Sequence, residues 1–433
     1  MDTLRRNELV LLCAAGVLTT LGMALVCAAL GDSPLRATRG FSLVAALIVV
    51  SFLMDLTGQK RDRLLMPVVA MAAGIGLVLL WRLDPFRASK QIIWMMMGSA
   101  IMLATYLMVT DVRSLGRLKY LTGASALLLL LATMIWGEER YGARLWLDMG
   151  VLPPFQPTEI AKLLLAISLA GILADRGPVI REVSRGRFIP RLAELRYLGP
   201  VALLVVFCLA IFVTQRDLGA AVLFLGLTIA VLYMGTRRKT YVVFGLLAFA
   251  LGAVVAPQVL GYVDKRMVAW LNPWSDPSGA GLQPLQAMFA LAEGGLLGTG
   301  LGLGMPYKMP AVETDLILAA IGEELGLAGT AATVMLLALT TFAGFRIAWR
   351  STDRFGMLLA AGLTSVFALQ ALVITGGVLR VLPLTGITLP FVSYGGTSVI
   401  ANFTALGLLL AVSRDCGPRP GVVHLTKKAS ADR

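Results

Sequence analysis

The residues best able to do chemistry in this chain are ionisable groups set in, or at the mouths of, long apolar runs. A charge in a hydrocarbon environment costs roughly 3 kcal/mol or more, so each such group is a functional candidate by default. Held there, a carboxylate can take a proton and an ammonium can meet an anion. Three clusters qualify. Glu159 and Lys162 stand at i,i+3, on one face of a helix, directly after Gln156-Pro157. Gln215-Arg216-Asp217 fills a tight turn between two apolar runs. Thr314-Asp315 opens a third run, which carries Glu323 and Glu324 further along.

Each cluster has a plainer alternative. Thr158 and Glu159 could cap a helix while Lys162 snorkels. Arg216 and Asp217 could be a solvated pair in a hairpin turn. Asp315 could be a helix N-terminal carboxylate favoured by the dipole. The run 315–345 would be ~46 Å long as a helix, against ~30 Å of hydrocarbon, so its start must project beyond the membrane or line a cavity. Glu323 lies ~12 Å along that helix, and Glu324 lies ~180° from Asp315 around it. The two glutamates therefore read as structural groups, buried, paired or capping, rather than as half of a dyad with Asp315.

Two glycine-rich segments flank these groups. Gly298, Gly300, Gly302 and Gly304 alternate in a loop. No βαβ context surrounds them, so a dinucleotide fingerprint is excluded, and a tight backbone near a polar ligand is expected. The stretch 383–396 interrupts an apolar run with prolines and glycines. Such a break is tolerated at membrane depth only against protein or water, which predicts a cavity lining.

The elements that must hold these residues follow from the apolar runs. They fall near 9–30, 41–57, 65–82, 91–110, 119–136, 158–174, 197–213, 217–234, 241–258, 315–345, 356–379 and 393–412. These predict about twelve transmembrane helices, an all-α polytopic membrane bundle. Hydrophobic residues make up 58% of the 433, and charged residues only 15%, which excludes a soluble enzyme, a disordered chain and a disulfide scaffold. Mean hydropathy is +0.81. The run 9–30 is too long for a signal peptide core and reads as a first span. Basic clusters occur at 60–63, 113–119, 176–196, 237–239 and 346–354 and in the tail. An even number of spans puts them all on the cytoplasmic side with both termini, so the net charge of +13 reflects topology and anionic lipid, not nucleic acid. Two long loops, 136–157 and 261–314, then face outward, and 283–297 could lie in the interface as a helix. The spacing of the four cysteines makes no zinc motif, and the single histidine, His424, sits in the tail, so a histidine triad is not expected.

The strings Gln156-Pro157-Thr158-Glu159-Ile160-Ala161-Lys162, Asp217-Leu218-Gly219, Thr314-Asp315, Ile321-Gly322-Glu323-Glu324-Leu325-Gly326, Pro383-Leu384-Thr385-Gly386 and Ser393-Tyr394-Gly395-Gly396 resemble the RodA/FtsW/SpoVE (SEDS) family, in that family's order. The resemblance runs from about 142 to the twelfth span. It implies a single integral membrane domain over 1–433: N-terminal spans to 118, two more than in most members, a core over 119–412 and a cytoplasmic tail over 413–433. There are departures from the family pattern. Leu316 and Leu318 replace aromatic residues, Gly281-Leu282-Gln283 replaces Gly-Tyr-Gln, Arg216 replaces a proline, and Arg144 is separated from Trp146.

The resemblance implies a peptidoglycan glycosyltransferase of the bacterial cytoplasmic membrane. Such an enzyme polymerises lipid II into β-1,4 glycan strands at the outer face, beside a class B penicillin-binding protein, for elongation, division or sporulation. Its catalytic carboxylate would be Asp315. Arg144, Gln156, Glu159, Lys162, Arg216, Asp217, Gln283, Thr314, Ser393 and Tyr394 would bind substrate. Lys162 and Arg144, with Arg216 and Arg380 behind them, are candidates to meet a departing diphosphate. A divalent cation, Mg or Mn, could assist; no organic cofactor is expected. Two other readings use the same residues: a flippase for lipid II or another lipid-linked sugar, and a non-catalytic scaffold for a transpeptidase.

Overall fold

The computed structural model describes residues 3–140, 143–148, 150, 154–183 and 192–416. The tail from 417, with His424, and parts of the loops 136–157 and 176–196 lie outside the described residues. In chain order the helices are α1 (Thr3–Leu30), α2 (Arg39–Leu56), α3 (Leu65–Leu83), α4 (Pro85–Met108), α5 (Val112–Arg117), α6 (Lys119–Trp136), α7 (Pro157–Val183) and α8 (Leu192–Gln215). They continue as α9 (Leu218–Thr236), α10 (Lys239–Val259), α11 (Gly261–Leu271), α12 (Leu282–Gly294), α13 (Ile317–Arg350), α14 (Arg354–Val378) and α15 (Gly396–Arg414). A short antiparallel hairpin, β1 (Glu138–Arg140) and β2 (Ala143–Trp146), joins α6 to α7. Among the described residues twelve helices are long and apolar enough to cross a membrane, one for each expected run. Only α5, α11 and α12 are too short. The protein is a multi-pass membrane protein.

Side-chain caps start several helices where a short acidic residue precedes the apolar run. Asp84 accepts from Phe86 N and Arg87 N to begin α4, and Asp353 accepts from Gly356 N to begin α14. Asp217 does the same for α9, accepting from Ala220 N at 2.9 Å.

The overlong run beginning at Asp315 is resolved by a break. Gly326 sits at φ 67°, ψ −166° within α13, a conformation open to glycine and strained for any other residue. The stretch 327–350 is then ~36 Å long, close to a membrane's thickness, and the preceding turns form a separate short helix. The glycine loop wraps this break. Thr299 N and Gly300 N donate to the carbonyls of Glu323 and Glu324 at 2.9 and 3.1 Å. Gly302 N donates to Glu324 Oε2 at 3.0 Å, and Arg82 of α3 pairs with Glu324 at 3.2 Å. Thus Glu323 and Glu324 are structural, as their spacing implied. The alternating glycines close on these glutamates, because a broken helix must re-satisfy its freed backbone groups. They do not line the Asp315 cavity. The helix expected near 283–297 is α12, and it docks on α13 through buried Ala287 and Ala290.

At the opposite end of the bundle the basic loops are tied together. Arg346 pairs with Asp62, whose N–H donates to Ser413 Oγ, and Arg113 pairs with Asp353. Arg61 is fully buried against Glu8 of α1 at 2.7 Å, with Arg63 on the same carboxylate at 2.8 Å.

Candidate functional site

Asp315 lies in the turn just before α13, half-buried. Its own N–H and that of Thr314 donate to the Ala311 carbonyl at 3.0 and 3.2 Å, which folds the turn. The segment 383–396 then latches it from the side. Ser393 Oγ donates to the Thr314 carbonyl at 2.5 Å while accepting from Leu389 N at 2.9 Å. Tyr394 N donates to the Glu313 carbonyl at 2.8 Å. Gln91 of α4 grips the same segment, donating to the Ser393 carbonyl at 3.1 Å and accepting from Gly395 N. A Cβ at Gly386 would stand 3.6 Å from Asp315 Oδ2, so the chain passes the carboxylate closely there.

The carboxylate faces a cavity of about 240 Å³ whose wall includes Lys265, Arg266, Gln283, Arg380 and Gly386. Arg266 Nη1 donates to the Thr385 carbonyl at 3.3 Å, next to Gly386. Arg380 spends much of its guanidinium on the end of α11, donating to the carbonyls of Trp270 and Leu271 at 2.9 and 2.8 Å. Trp270 Nε1 returns a bond to the Arg380 carbonyl at 3.0 Å. Burial pushes the Asp315 carboxyl up to about 6, opposed by the Thr314 hydroxyl and the Arg266 charge. A carboxylate so poised can hold or take a proton near neutral pH.

The other expected residues take varied places. Glu159 and Lys162 form a buried ion pair at 2.8 Å at the start of α7. Burial raises the Asp217 carboxyl, opposed by the Ala220 N–H and by Arg266, with Glu159 and Lys162 also acting on it. Arg266 thus acts on both Asp315 and Asp217. Asp217 and Arg216 do not form the solvated turn pair that was the plainer alternative: Asp217 is a buried cap, and Arg216 is exposed at φ 60°. Gly219, in the first turn of α9, lets that turn close on the latch segment, since a Cβ there would come 2.3 Å from Ile387 Cγ2. Gln156 N donates to Thr397 Oγ1 at 3.2 Å. Arg144 stands exposed on β2 with Glu139 3.9 Å away, and it is not in the cavity wall. Gln283 is in that wall, and Thr314, Ser393 and Tyr394 build the latch.

Sequence reasoning missed Lys265, Arg266 and Gln91. The one available signal was the adjacent Lys265-Arg266 pair between Tyr262 and Trp270 in a long loop.

The FtsW/RodA/SpoVE family model, described as "Cell cycle protein", matches residues 62–416. The chain belongs to this family. The matched residues begin just before α3. Peptidoglycan glycosyltransferase RodA of Mycobacterium tuberculosis (strain ATCC 25618 / H37Rv) is 36% identical over 430 residues, covering 95% of this chain and 91% of that protein. Stage V sporulation protein E of Bacillus subtilis (strain 168) is 36% identical over 284 residues, covering 64% of this chain and 73% of that one. Among solved structures, a chain of a peptidoglycan synthase complex aligns with a TM-score of 0.68 and 29% identity, over 82% of this chain and 98% of its own length. The crystal structure of Thermus thermophilus RodA aligns with a TM-score of 0.60 and 27% identity, over 83% of this chain and 98% of its own length. For this FtsW/RodA/SpoVE-family protein, the Thr314-Asp315 turn, the latch and the cation-lined cavity form the candidate active site.

Proposed function

We propose that this protein is an inverting peptidoglycan glycosyltransferase that polymerises lipid II, with Asp315 as general base. One observation carries the reading: a lone carboxylate, raised toward neutrality, opens into a cation-lined cavity at one end of a membrane bundle. The 4-hydroxyl oxygen of the acceptor sugar attacks the donor's anomeric carbon. The new C–O bond forms as the bond to the α-linked lipid diphosphate breaks. The hydroxyl proton passes to Asp315, the electron pair leaves on the diphosphate, and a β-1,4 linkage results. Inversion needs one base and no carboxylate nucleophile, which suits a site with a single acid in its wall.

Orientation follows from charge. The basic loops, the start of the first span and the end of the last span fit a cytoplasmic end, because Asp62, Arg346, Ser413 and the Glu8 cluster meet there. This supports an extracytoplasmic Asp315 cavity and cytoplasmic termini. A class B penicillin-binding protein is the expected partner, supported by the likeness to a chain of a synthase complex. Among the described residues no three metal-ligating side chains come together. Purified protein given lipid II, with and without that partner, is expected to yield glycan ladders. Their absence with the partner demonstrably bound contradicts the proposal.

A further inference from the structure

The reacting centre fixes where one charge must sit. In the reaction above, the donor's first phosphorus is two bonds from the anomeric carbon, whereas the acceptor's own diphosphate is separated from its attacking 4-hydroxyl by most of a disaccharide. A cation sharing a cavity with Asp315 therefore faces the donor's diphosphate. Two cations in that wall come from α11. Lys265 is exposed and has no hydrogen-bond or ion-pair partner among the described residues. Arg266 is half-buried and bonded to one backbone carbonyl, leaving donors of its guanidinium for a ligand. Arg380 is largely committed to α11 itself, and Lys162 to Glu159.

Helix α11 also lies at the right depth. Tyr262 Oη donates to the Val213 carbonyl in the last turn of α8, and Trp270 Nε1 donates to the Arg380 carbonyl just past α14. Both anchors are at the ends of membrane-spanning helices. Tyr and Trp favour that headgroup level, which is also where a lipid's phosphates lie.

We propose that Lys265 and Arg266 of α11 bind the donor's lipid diphosphate, and that they, rather than Lys162 or Arg144, receive the charge that develops as it leaves. The inference rests on the glycosyltransferase reading. As the C–O bond breaks, the negative charge grows on a phosphate oxygen that these two side chains contact, and stabilising it lowers the barrier.

The test measures equilibrium binding of undecaprenyl diphosphate to the full chain in nanodiscs, with undecaprenol as the same lipid lacking phosphates. Arg266→Gln is expected to weaken diphosphate binding about ten- to a hundred-fold, the usual worth of a charge-assisted contact, with Arg266→Lys recovering part of it. Lys265→Ala, at an exposed and unpartnered position, keeps the fold and is expected to weaken binding by about five-fold. Undecaprenol binding stays unchanged in all three. Unchanged diphosphate affinity in Arg266→Gln and Lys265→Ala, or an equal loss for both lipids, overturns the inference. Lipid II laddering by the wild type is scored separately: ladders with unchanged affinities sink the inference alone, while diphosphate binding without ladders counts against the glycosyltransferase reading.

Discussion

At the scale of the residue, Asp315 must be ionised to accept a proton, and its surroundings resist ionisation. Burial pushes its pKa to about 6, so the basic form is lost as pH falls through that value. The acid limb of kcat/KM for lipid II polymerisation is expected to have its midpoint near pH 6, with activity rising above it. Arg266 favours the charged form, so Arg266→Gln should move that midpoint upward. Initial rates across the range decide it; a midpoint near about pH 4, the ordinary aspartate value, contradicts the assignment. The Thr314-Asp315 pair was legible because a carboxylate beside an overlong apolar run needs a reason to be there. Arg266 was not legible. Its contact is with a carbonyl 119 residues away, and no local pattern announces that pairing.

At the scale of the element, the segment 383–396 works as a brace. Ser393 joins Leu389 N to the Thr314 carbonyl, holding the turn that aims Asp315. Ser393→Ala should cost about 1 kcal/mol of stability. Its effect on turnover should be larger, roughly ten- to a hundred-fold in kcat, because a small displacement of a general base is heavily penalised. Melting temperature and steady-state kinetics measured on the same preparation check both halves; an unchanged kcat would remove the brace from the account. The apolar runs located every span, since only helices can satisfy their backbone in lipid. The break at Gly326 was not legible, because isolated glycines are common in membrane helices. What makes this one a break is the loop 295–305 folding over Glu323 and Glu324. The brace itself was half-legible: prolines and glycines implied a cavity lining, while the hydrogen bonds show a clamp on the neighbouring turn.

At the scale of the whole molecule, charge organises the two ends differently. One end gathers basic loops around a buried network of Glu8, Arg61, Arg63 and Asp55 that fastens α1 and α2 to the start of α3. Glu8→Gln would leave Arg61 buried with less compensation, and a loss of about 3–5 kcal/mol is expected, read as a lowered unfolding midpoint in detergent. A wild-type midpoint would mean that water already screens this cluster. The other end carries the cavity. In a cysteine-free background, Lys308→Cys should react with an impermeant thiol reagent on intact cells and Lys60→Cys should not; the reverse pattern would place Asp315 in the cytoplasm. The basic loops are what led the sequence to this expected polarity, because their positive charge alternates with the spans.

The central claim is that Asp315 takes the acceptor's proton, and one comparison addresses it directly. Wild type and Asp315→Asn, matched for fold and for binding of the penicillin-binding partner, are given lipid II and followed for glycan ladders and released lipid diphosphate. The account predicts ladders and release from the wild type and a loss of about 10²–10⁴-fold or more in the variant, with folding and partner binding retained. Wild-type turnover by Asp315→Asn would contradict it.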